Sequence, residues 1–215
     1  MVVDICYTLF KSNTTFDFFK YCILKGKFSF VDRIYFKILL SKLSPFFWMV
    51  AINEKLFKKD HFKYLAVKLL ASHDVEMVES WAEDFFHEYL KPRTIGLTMD
   101  LIKTYEFSEV ILISATLKPI AKSIAKNLGI DNYIATELGI KNGKYTGRIL
   151  KELSGRKLEA LYAFKKEKVV IDVVITDNLS DKNIMATADC KYAVCHNSKQ
   201  EKFWSSLPKV NILHI

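Results

Sequence analysis

Hydrophobic positions follow three patterns along the chain. Val2–Cys6 is a short apolar, β-branched run, which predicts a buried strand. From Thr15 to about Phe107 the periodicity turns helical. One helix there, capped by Asp74 or Ser72, is predicted to run through Val75, Met77, Val78, Trp81, Phe85 and Leu90 and to stop at Pro92. That stretch contains no predicted strand.

Beyond it, short apolar runs alternate with helical patterns. Glu109–Ser114 reads as a strand, and Pro119–Leu128 reads as a helix with Gly129 as its stop. Asn132–Ala135 reads as a short strand, and Asn142-Gly143 between the extended halves of Glu137–Ile149 signals a hairpin. Helix Ser154–Lys165, strand Val169–Thr176, helix Leu179–Ala188, strand Tyr192–Cys195, helix Ser198–Ser206 and strand Val210–His214 complete the pattern.

Alternation of this kind predicts an α/β fold: a Rossmann-like, mostly parallel sheet with helices on both faces. A parallel crossover needs only about a dozen residues. The helical stretch between the first two strands is far longer, so it is expected as an inserted, all-helical cap over the sheet end. The expected division is a core of residues 1–12 and 94–215 and a cap of residues 13–93.

Composition agrees with one large core plus an insertion. The chain has 215 residues, of which 50% are hydrophobic and 26% charged, so it is not a disordered chain. Its four cysteines, Cys6, Cys22, Cys190 and Cys195, have no framework spacing, which predicts reduced thiols and a cytoplasmic protein. The start lacks the basic, then apolar, pattern of a signal peptide. Tyr35–Ile52 is the most apolar stretch, but Lys37, Lys42 and Pro45 interrupt it, so no transmembrane segment is expected. Peripheral membrane contact stays open.

Charge is uneven. Residues 11–70 hold 12 Lys and Arg against 4 Asp and Glu, whereas residues 71–93 are acidic. A basic field of that kind favours an anionic partner, such as a phosphate ester, an acidic lipid surface or nucleic acid. The basic stretch carries no nucleic-acid docking motif, so no specific nucleic-acid partner is expected. It is also aromatic, with eleven rings from Phe16 to Trp48, which predicts the cap's own core, a pocket for an apolar or aromatic substrate tail, or contact with a membrane surface.

Ligands of open α/β sheets bind outside the carboxyl ends of the strands. Those ends hold Asp4, Cys6 and Thr8 after the first strand and Ser114, Ala115 and Thr116 after the second. Asp177 and Asp181 follow the long later strand, and Lys157 opens a helix after Ser154-Gly155. Carboxylates at strand ends can hold Mg²⁺ through oxygen, and a lysine with hydroxyl donors can receive a phosphoryl group. Taken singly, Asp177 and Asp181 could be helix-capping acids, Ser114 a cap and Lys157 a surface lysine. Cys190, Cys195 and His196 do not have zinc-ligand spacing.

In this order the residues resemble the haloacid dehalogenase superfamily of phosphohydrolases, in particular its phosphoserine-phosphatase-like branch with a helical cap. The motifs are DICYT, ILISAT, LSGRKLEAL and TDNLSD, with IATELGIKNGKYTG before the lysine. The resemblance implies an Mg²⁺-dependent phosphatase or phosphotransferase working through an aspartyl phosphate. It implies Asp4 as nucleophile, and Ser114, Ala115, Thr8 and Lys157 as phosphate contacts. It also implies Asp4, the Cys6 carbonyl, Asp177 and Asp181 around the metal.

The family's second aspartate is replaced by Cys6. That acid protonates the leaving group and activates water, tasks for which a thiol is poorly suited. The alternatives are slow turnover, transfer to an acceptor other than water, or a catalytically weak phosphate-binding protein. Lys11-Ser12-Asn13-Thr14-Thr15 has no acid to receive a substrate ammonium, which argues against phosphoserine. The basic cap allows a more acidic ester, such as a sugar phosphate, nucleotide or lipid phosphate.

Overall fold

The computed structural model describes residues 1–41, 44, 48, 60–105, 109–167 and 170–215. Lys42, Pro45, Phe46, Phe47, Ile52, Phe107 and Val169, which figured in the sequence expectations, lie outside the described residues.

Strand β1 (Val2–Val3) is followed by helices α1 (Thr14–Leu24), α2 (Phe30–Leu40), α3 (His61–Val67), α4 (Val75–Phe85) and α5 (Gly96–Ile102). Then come β2 (Ile111–Leu117), α6 (Lys118–Leu128), β3 (Asn132–Lys141) and β4 (Lys144–Lys151). The chain closes with α7 (Lys157–Lys165), β5 (Ile171–Thr176), α8 (Lys182–Ala186), β6 (Ala188–Cys195), α9 (Ser198–Ser205) and β7 (Val210–His214). The seven strands form one sheet in the order β4-β3-β2-β1-β5-β6-β7. All pairs are parallel except the β3–β4 hairpin.

Local chemistry explains most of these boundaries. Asn142 (φ 52°) and Gly143 (φ 73°) turn the hairpin with two consecutive left-handed residues, the geometry that matches strand twist. Gly129 ends α6 in the left-handed region (φ 68°). Asp74 does stand at the cap of α4, but its side chain makes no capping bond and instead pairs with Lys144 on β4. The predicted helix through Leu90 stops being α-helical at Phe85. A π-turn carries it through Phe86–Leu90, followed by a tight turn containing Pro92.

The two faces of the sheet have separate cores. One runs without a break from Val3, Ile5, Leu112 and Ile124 into the helical stretch, through Phe18, Phe19, Leu70, Trp81 and Phe85. The other packs Val2, Ile113, Leu161, Val174, Met185 and Trp204. Of the aromatic set, Phe18, Phe19, Tyr21, Phe28 and Phe36 are buried, whereas Phe30 and Trp48 face solvent.

The strand order reverses at β1. From β1 the chain builds outward through β2 and β3 on one side and, after β4, through β5, β6 and β7 on the other. A cleft is therefore expected above the carboxyl ends of β1, β2 and β5.

Candidate active site

That cleft exists, with a volume of about 330 Å³. Asp4, Cys6, Ser114, Ala115, Lys157 and Asp177 line it, joined by Tyr7, Thr116, Ser154 and Asn178. Asn13, Thr15, Asp60 and Lys63 line it from the helical segment.

Asp4 follows β1 and keeps the sheet register by donating its N–H to the Ile175 carbonyl. Its Oδ1 accepts the Ile5 N–H at 2.7 Å, and its Oδ2 lies 2.7 Å from Lys157 Nζ. Lys157 is buried because it starts the inward face of α7, followed at helical spacing by Ala160 and Leu161. Its Nζ also lies 2.6 Å from Asp181 Oδ2, which accepts from Thr176 Oγ1 at 2.6 Å as well. Burial works against the charge on Lys157, but Asp4 and Asp181 outweigh it and hold the ammonium above the ordinary lysine range. Burial presses Asp4 upward, and Lys157 opposes it.

Asp177 stands just past β5. Its Oδ1 accepts from Thr8 Oγ1 at 3.2 Å, and its own N–H donates back to that hydroxyl at 3.0 Å. Burial first, and then the neighbouring Asp4, push the Asp177 carboxyl up to about 7. Thr8 is thus engaged between the β1 and β5 loops and is not among the residues lining the cleft. Tyr7, in the loop after β1, stands in the left-handed region (φ 51°). Its carbonyl lies 2.6 Å from His196 Nε2, so that nitrogen carries the ring proton.

Cys6 Sγ is 2.9 Å from Thr14 Oγ1, and Thr14 donates to Thr116 Oγ1 at 2.7 Å. Ser114 Oγ stands 4.0 Å from the sulfur. Burial, followed by the charge of Asp4, pushes the Cys6 thiol up to about 11.

Lys63, buried on α3, was not anticipated from sequence. Its Nζ donates to the Ala115 carbonyl at 3.1 Å and to Glu152 Oε1 at 2.6 Å. Glu152 Oε1 also accepts from Thr136 Oγ1 and the N–H groups of Leu153 and Ser154. Thr116 stood within the quoted ILISAT run, and Asn13 could have been found as the cap of α1. Nothing in the spacing of Lys63 or Asp60 pointed to this cleft, because only the docking of α3 brings them there.

Three carboxyl groups, Asp4, Asp177 and Asp181, gather near the buried Lys157 ammonium, and the crowding of acids contributes to raising Asp4 and Asp177. Among the described residues no three His, Cys, Asp or Glu side chains form a ready-made metal cage. A divalent cation nevertheless fits the donor set. Mg²⁺ commonly takes one or two protein carboxylates and completes its shell with water and substrate phosphate. Asp4 and Asp177 are the strand-end carboxylates that line the cleft, Asp60 lines it from the helical segment, and Asp181 is committed to Lys157 and Thr176.

The chain is similar to proteins of this kind. The profile of the haloacid dehalogenase-like hydrolases matches residues 2–186. A probable phosphatase of Mycobacterium tuberculosis is 28% identical over 92 residues, covering 42% of this chain and 32% of that protein. The match thus spans about a third of the length of that relative. A protein of unknown function from Bordetella pertussis superposes with a TM-score of 0.71 at 15% identity, covering 99% of this chain and 96% of that one. A probable phosphoserine phosphatase from Vibrio cholerae superposes with a TM-score of 0.60 at 17% identity, covering 98% of this chain and 59% of that one. At such identities the superpositions establish the fold. The matched profile covers most of the sequence, and the chain belongs to the haloacid dehalogenase-like hydrolase family.

Proposed function

We propose that the protein is an Mg²⁺-dependent phosphatase or phosphotransferase that works through an aspartyl phosphate on a small, acidic phosphate monoester. The observation that carries this reading is the buried ion-pair triad Asp4–Lys157–Asp181 at the floor of the cleft, with Asp177 beside it. Lys157 lowers the charge repulsion between an ionised Asp4 and an incoming phosphoryl group. The Asp4 carboxylate attacks phosphorus, and the ester P–O bond breaks. A second nucleophile, water or another acceptor, then takes the phosphoryl group from Asp4. Splitting one displacement into two is the advantage of covalent catalysis. Ser114 and Ala115, on the β2 side of the cleft, supply donors to the phosphoryl oxygens.

Asp4, Asp177 and the Cys6 carbonyl would hold Mg²⁺, which would neutralise charge on the phosphoryl oxygens. Asp181 acts through Lys157, and Thr8 acts by fixing Asp177. Residues 13–93 serve as a cap, and Asn13, Thr15, Asp60 and Lys63 are its face toward the substrate. The enzyme is cytoplasmic and has no specific nucleic-acid partner.

Cys6 favours a second reading, a catalytically weak phosphate-binding protein on the same fold. A protonated thiol is a poor acid and no base at neutral pH, so the leaving oxygen takes its proton from water. Phosphate release from a broad panel of monoesters, with and without Mg²⁺, separates the two. Turnover that vanishes in Asp4→Asn establishes the phosphatase. Absence of phosphate release in folded, Mg²⁺-binding protein points to an acceptor other than water or to the second reading.

A further inference from the structure

Helix α2 is apolar on the wrong side for a free surface helix. Phe30 and Val31 are 74% and 72% exposed, and Ile34 and Ile38 are 42% and 48% exposed. At about 100° per residue these four share one arc of about 100°, while Phe36 and Leu39 point away from it into the core. An unbroken water-facing strip of this kind marks an interaction surface.

The border of the strip is basic. Arg33 and Lys37 lie along one edge of the arc, both exposed and without an ion-pair partner among the described residues. Asp32, the helix's own acid, is held in a capping box by Ser29 and sits on the far side. Nearby Lys25 and Lys27 are already paired with Glu88 and Asp84. The uncompensated charge beside the apolar strip is therefore positive.

We propose that this face of α2 docks onto an anionic lipid bilayer, with the helix lying in the plane of the interface. A bilayer surface offers both complements at once: an apolar layer for Phe30, Ile34 and Ile38, and anionic headgroups for Arg33 and Lys37. Long basic side chains at such an edge keep their stems on the apolar layer and their charges in the headgroups. The contact is peripheral, since no described helix is long and apolar enough to cross a membrane. The 11 residues of α2 span about 16 Å, well short of a hydrocarbon core. The proposal goes beyond the phosphatase reading and does not depend on it.

The test is co-sedimentation with vesicles of phosphatidylcholine containing one quarter phosphatidylglycerol, against vesicles of phosphatidylcholine alone. Binding to the anionic vesicles is expected, weakening as salt rises above about 0.1 M. Phe30→Ser with Ile34→Ser is expected to reduce partitioning at least tenfold. Arg33→Gln and Lys37→Gln are each expected to reduce it about fivefold. Circular dichroism verifies that each variant is folded, and the single Ile34→Gln variant replaces the pair if the pair is not. Failure to bind anionic vesicles at low salt overturns the proposal, as does undiminished binding by a folded strip variant. A dimer that the strip variant dissociates, with no vesicle binding, also overturns it and assigns the face to a second copy. Hydrolysis of a soluble aryl phosphate, measured in parallel, reports on the phosphatase reading alone, because Phe30 and Ile34 lie outside the cleft lining.

Discussion

Cys6 Sγ lies 2.9 Å from Thr14 Oγ1, and Thr14 already gives its own proton to Thr116. The thiol is therefore the donor in its contact with Thr14. With its pKa pushed up to about 11 by burial and the charge of Asp4, the protonated thiol predominates at pH 7. The proton is spent on a structural bond, and no base remains at this position.

Restoring a carboxylate should restore the missing chemistry. Cys6→Asp is expected to raise phosphate release by about 10²–10⁴-fold, the usual contribution of a placed acid–base. Cys6→Ser should stay near the parent rate. Steady-state kinetics with Asp4→Asn as blank checks both, and equal rates for Asp and Ser at position 6 would refute the assignment.

The Asp177 carboxyl sets a pH dependence on the metal-free protein. Its folded pKa, about 7, is raised above the unfolded value. The protonated form is thus favoured by folding, and this stabilisation is lost as pH rises through about 7. Melting in a chelator should show Tm increasing from pH 8 to pH 6 more in the parent than in Asp177→Asn. Added Mg²⁺ should raise Tm more at pH 8 than at pH 6.

Removing Lys157 deprives Asp4 and Asp181 of the ammonium that both pair with. Lys157→Met is expected to lose about 3–5 kcal/mol in urea denaturation, the usual cost of stranding a buried charge. Turnover should vanish as well. Mg²⁺ should recover more stability in this variant than in the parent, because it supplies charge of the missing sign.

Lys63 links α3 to the Ala115 carbonyl and to Glu152. Lys63→Met removes the cation paired with Glu152, which keeps the Thr136, Leu153 and Ser154 donors, and is expected to cost about 1–3 kcal/mol of stability. Lys63→Arg should retain most of it. Thermal melts of the two variants side by side provide the check.

Sequence was informative wherever chemistry is local to the chain. The Asn142-Gly143 turn, the Gly129 stop and the final strand Val210–His214 follow from neighbouring residues and appear where expected. Asp4, Ser114, Lys157 and Asp177 also meet in one cleft, because strand ends in a parallel sheet lie on one side. The Thr14–Thr116 bond and the place of Lys63 were opaque for the opposite reason. Their partners are set by how helices dock on the sheet, across separations of 102 residues for Thr14–Thr116 and 89 for Lys63–Glu152. The break at Phe85 was hidden too, since a π-turn preserves the same apolar residue types.

The central place of β1 also governs how the protein is made. Val2 pairs with Ile111 on one side and Val174 on the other, so the strand that leads to Asp4 leaves the ribosome long before either neighbour. At about 5–20 residues per second, its second partner arrives roughly 10–35 s later. Both edges of this apolar segment are open until β2 emerges, and one edge stays open until β5 does. The helices that follow it can form from local contacts at once, whereas the catalytic floor closes only after β5 is synthesised.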